Sequence, residues 1–76
     1  MSATIRVEIA SPPDRERLVA CLMVGNEQWA ELSQEDETLE LELYPRRDGQ
    51  PWKISYEDAV AALIEAKSRL VGGSTT

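Results

Sequence analysis

Three observations predict an α+β fold, a four-stranded antiparallel β-meander with one C-terminal α-helix packed on one face. Apolar and polar residues alternate strictly over Thr4–Ala10 and again over Thr38–Tyr44. Turn residues punctuate the chain at Pro12-Pro13, Gly25-Asn26 and Asp48-Gly49. After Ser55 the apolar period changes from two to that of a helix. The 76 residues are expected to form one domain, 1–76, with 72–76 as a flexible tail. A chain this short buries only roughly 60 % of its unfolded surface, so its stability is expected to be marginal.

In the first strand Ile5, Val7 and Ile9 share one face, and Arg6 and Glu8 the other. Pro12-Pro13-Asp14 ends it, because proline has no N–H to give to a ladder. The second strand, Arg17–Val24, is too apolar to show its own alternation, so the turn must decide its register. A two-residue loop at Gly25-Asn26 pairs Leu22 with Trp29 and Ala20 with Glu31, mixing one face. A three-residue loop, Gly25-Asn26-Glu27, pairs Val24 with Gln28, Leu22 with Ala30 and Ala20 with Leu32. That loop keeps apolar partners together and is the predicted one. In the fourth strand Leu39, Leu41 and Leu43 point inward and Glu40 and Glu42 outward, and Pro45 closes it. Short linkers make neighbouring strands antiparallel.

Ser55 with Asp58 resembles a capping box, and Glu57 and Asp58 suit the positive end of a helix. Val60, Leu63, Ile64, Leu70 and Val71 recur at helical spacing, while Ala59, Ala62 and Ala66 allow close approach to a sheet. Glu65 and Arg69 form an (i, i+4) pair, and Gly72-Gly73 stops the helix.

Composition removes several kinds of chemistry. With no histidine and one cysteine, a conventional zinc site, a Cys–His pair and a Ser–His–Asp triad are excluded. A net charge of −6 argues against binding a nucleic-acid backbone. Cys21 has no partner for a disulfide within the chain, and Met1–Thr4 does not open a signal peptide. The longest apolar run, Leu18–Val24, is far short of the ~20 residues of a membrane span. A cytoplasmic protein with no cofactor and no membrane partner is expected.

The predicted register places Trp29 on the face opposite the leucines, with Val19, Cys21 and Met23. One helix covers one face, so these four apolar residues suggest a contact surface, for a second copy or another protein. Scattered apolar residues flanked by Glu31, Glu40 and Glu42 are the plainer reading. From Leu18 to Pro45 there is no lysine or arginine, yet Glu27, Glu31, Glu35, Asp36, Glu37, Glu40 and Glu42 supply half of the chain's 14 acids. Paired carboxylates do acid–base work only where a pocket separates their pKa values, and an exposed strand face has none. Glu35-Asp36-Glu37 lacks the ligand order of a calcium loop. These acids either solubilise the sheet or meet a basic protein partner.

Trp52 is expected as a lid over the open end of the core, with Tyr56 beside it. Cys21 lacks a neighbouring cation in sequence to activate it and is expected to be a small packing residue. Arg46-Arg47, with Lys53 close by, reads as a solubilising turn.

The strings Trp29-Ala30-Glu31-Leu32, Leu39-Glu40-Leu41-Glu42-Leu43-Tyr44-Pro45-Arg46, Asp48-Gly49 and Pro51-Trp52 resemble a group of small uncharacterised bacterial proteins. The resemblance covers the middle of the chain and the alanine-rich helix, and it implies no activity for any residue. Such proteins carry an acidic residue near the position of Cys21, as suits a solvent-facing site.

The expected function is that of a small acidic, non-catalytic protein–protein interaction module. Its candidate interface is Val19, Cys21, Met23, Trp29, Glu31, Glu40 and Glu42, with a homodimer or a basic protein as partner. One alternative is an immunity- or antitoxin-type inhibitor of a basic partner. Another is a small-molecule binder using the Trp52 and Arg47 end.

Overall fold

A computed structural model describes residues 4–13, 17–35 and 37–72. Strands β1 (Ile5–Ala10), β2 (Val19–Val24), β3 (Glu27–Glu35) and β4 (Thr38–Leu43) form one antiparallel sheet in the order β1-β2-β3-β4. Helix α1 (Tyr56–Lys67) follows, ending in a π-helical turn, Ser68–Gly72. This is the predicted meander with its C-terminal helix. Gly72 belongs to that turn rather than to a tail. Asp14, Asp36 and residues 73–76 lie outside the described residues.

The β2–β3 hairpin corrects the predicted loop. Val24 pairs with Glu27, so the turn holds two residues, Gly25-Asn26, and Gly25 takes a φ of +62° that favours glycine. Beyond the turn Met23 faces Gln28, but Leu22 faces Ala30 and Ala20 faces Leu32. Trp29 is the extra residue of a β-bulge. The bulge lets a two-residue turn coexist with the pairing of Leu22, Ala20 and their apolar partners. It also moves Trp29, which packs against the inner-face cluster instead of lying on the outer face with Met23.

That cluster comprises Val7, Ala20, Leu22, Ala30 and Leu32 from the sheet with Ala62, Ala66 and Leu70 from the helical segment. Ala62, Ala66 and Leu70 are spaced by four, so one narrow stripe meets the sheet. Of the larger aliphatics at helical spacing Leu70 is buried in the cluster, whereas Leu63 is half-buried and Ile64 is 64 % exposed. Ser55 caps the helix, its Oγ accepting the Asp58 N–H at 3.3 Å. The Glu65–Arg69 ion pair forms at 3.5 Å, and Arg69 Nη1 also donates to the carbonyl of Val7 in β1 at 2.6 Å.

Helix α1 lies over β1 and β2. A helix is ~10 Å across and strands are ~4.8 Å apart, so one helix covers about two strands. The β4 edge of the inner face is only partly covered. Leu39 is half-buried, but Leu41 is 45 % and Leu43 62 % exposed. They share the predicted face without being core.

Candidate functional site

The outer face carries a row of residues across all four strands. Glu8 of β1 stands opposite Cys21 of β2, Cys21 opposite Glu31 of β3, and Glu31 opposite Glu42 of β4. Strand alternation puts all four on one face, and the row is the register made visible. Glu40 stands opposite the buried Ser33 on the same face. Arg6 holds Glu8 through a 3.1 Å ion pair.

Tyr44 lies two residues beyond Glu42, and its hydroxyl donates toward Glu42 Oε1 at 3.4 Å and Glu31 Oε1 at 3.5 Å. Burial, then the charges of Glu31 and Glu42, raise its pKa above the usual tyrosine value. The Cys21 thiol is likewise raised, first by burial and then by Glu31 and Glu8. A raised thiol is a poor nucleophile at neutral pH. Among the described residues, no three carboxylate or thiol side chains converge as a metal site would require.

The predicted apolar patch is not assembled on this face. Val19 is only 1 % exposed, between Ala10 and Ser33 in the register, and Trp29 has turned toward the core. Cys21 and Met23 remain half-buried there. Glu40 and Glu42 are exposed and Glu31 half-buried, so the predicted carboxylates do share one surface.

The other end of the sheet is more ordered than a solubilising turn. Arg47 donates its backbone N–H to Glu27 Oε2 at 2.6 Å and its Nη2 to the Asn26 carbonyl at 3.0 Å. Those bonds staple the β2–β3 turn to the segment after β4. Trp52 Nε1 donates to the Tyr44 carbonyl at 2.7 Å, and the Arg46 guanidinium lies 5.6 Å from the Trp52 ring centre while pairing with Asp48 at 3.1 Å. An open cleft of about 280 Å³ is lined by Val24, Glu27, Arg46, Trp52, Lys53 and Ile54. Tyr56 does not join a lid, being 80 % exposed.

No helix among the described residues is long and apolar enough to cross a membrane. No protein-family model, curated protein or solved structure matches the chain.

Proposed function

We propose that the protein is a small acidic, non-catalytic protein–protein interaction module of the cytoplasm whose partner is basic. One observation carries this reading. Strand β4 presents exposed leucines on one face and exposed glutamates on the other, so an apolar and an anionic surface share one short element. The raised thiol of Cys21 and the flat setting of Glu31, Glu40 and Glu42 support a binding role over a catalytic one. An immunity- or antitoxin-type inhibitor is a narrower form of the same reading.

The test compares capture from a lysate by the natural chain and by the triple variant Glu31→Gln, Glu40→Gln, Glu42→Gln. The reading requires a basic protein that is retained at low salt and lost with the variant. Identical captures by both chains would reject it. A second reading, a small-molecule site at the Trp52 and Arg47 end, rests on the cleft there, and a fragment titration followed by Trp52 fluorescence tests it.

A further inference from the structure

We propose that β4 is a docking edge that adds one extended strand from a basic protein, a segment alternating aliphatic residues with lysine or arginine. This rests on the interaction-module reading and names its mode of binding. The direction of the backbone hydrogen bonds starts the argument. Antiparallel pairs alternate between those that exchange both backbone bonds and those that exchange none. Tyr44 N–H donates to the Trp29 carbonyl at 3.0 Å. In the observed register this makes Glu31–Glu42 and Ser33–Glu40 the bonded pairs, and Ala30–Leu43, Leu32–Leu41 and Gln34–Leu39 the others. The N–H and C=O groups of Leu39, Leu41 and Leu43 therefore point away from β3, toward the free edge.

The same alternation, carried through β2 to β1, turns the Val7 carbonyl outward at the opposite edge, where Arg69 Nη1 meets it at 2.6 Å. One edge of the sheet is guarded by the helical segment. At β4 no described side chain donates to the corresponding carbonyls. An open row of donors and acceptors is a template for another strand.

The faces of β4 define that strand. Aliphatic side chains would continue the inner face beside Leu41 and Leu43, which α1 does not reach. Cations would stand opposite Glu40 and Glu42 on the outer face, beside Glu31. A second copy of this chain is a poor occupant. The antiparallel self-pairing that seats all three leucines sets Glu40 against Glu42 twice, with like charges at the closer cross-strand spacing. The net charge of −6 steers basic chains in and other copies away.

The test measures fluorescence anisotropy of a labelled Val-Lys-Val-Arg-Val-Lys-Val peptide against the full chain. One control has the same composition with its cations in a single block. The other is N-methylated at the residues whose N–H groups face β4. Binding by the alternating peptide is expected to fall roughly tenfold between about 50 mM and about 500 mM salt. It is expected to fall by a similar factor with either control, and with Glu40→Gln plus Glu42→Gln at a melting midpoint no lower than that of the natural chain. If both controls bind as tightly as the alternating peptide, charge alone holds the chain; strand addition is then overturned while the interaction reading survives. If none binds at about 1 mM protein, a Kd weaker than any useful contact, both are overturned. If the free protein sediments as a dimer with the Leu39, Leu41 and Leu43 amides protected, a second copy is the occupant and the proposal is overturned.

Discussion

Glu31 and Glu42 stand directly opposite each other on neighbouring strands, and the Tyr44 hydroxyl reaches toward both. Like charges placed this way disfavour the sheet, and the Tyr44 hydroxyl donating toward both carboxylates opposes that repulsion.

Glu31→Gln is expected to leave stability unchanged or to raise it by up to ~1 kcal/mol in urea unfolding. In a Tyr56→Phe background the same substitution should lower the pH at which Tyr44 ionises, read by ultraviolet titration. Because the folded-state pKa of Tyr44 is raised, its contribution to stability is complete below the unfolded value of about 10 and is lost as pH climbs through the folded-state value. A Tyr44 titration that ignores Glu31 contradicts this arrangement.

Cys21 is expected to resist alkylation. Its rate with iodoacetamide should rise only above the usual thiol range of about 8.5, and Glu31→Gln should shift that profile downward. Cys21→Ser should keep the fold at a cost of at most ~1–2 kcal/mol. Rapid alkylation at pH 7 would contradict the electrostatic account.

The alanine stripe gives a sharper test of packing than the larger aliphatics. Ala66 is fully buried against the sheet, so Ala66→Leu should cost ~1–3 kcal/mol by forcing the helix outward. Leu22→Ala should cost ~2–5 kcal/mol through the cavity it leaves. Ile64→Ala should change stability by less than ~0.5 kcal/mol, because that side chain is mostly in water. Denaturation of the three variants decides the matter, and an Ile64 effect equal to that of Leu22 would place the wrong helix face on the sheet.

Much of this was legible in the sequence. Alternation at Ile5, Val7 and Ile9 and at Leu39, Leu41 and Leu43 marked two strands, and Ser55 marked the start of the helix. The bulge was not legible. Gly25-Asn26 argued for a two-residue turn and the apolar pairing argued for an odd loop, and an extra residue such as Trp29 leaves no local sign in a period-two pattern. The bonds from Arg47 to Asn26 and Glu27 join segments about twenty residues apart, which spacing cannot reveal. The exposure of Leu41 and Leu43 follows from the width of one helix over four strands, a matter of where α1 lands rather than of which residues alternate.

Amide hydrogen exchange on the free protein tests the open β4 edge most directly. The account predicts fast exchange at Leu39, Leu41 and Leu43, whose N–H groups face away from β3, and slow exchange at Glu40 and Glu42, which are bonded to it. Equal protection at all five positions would contradict it.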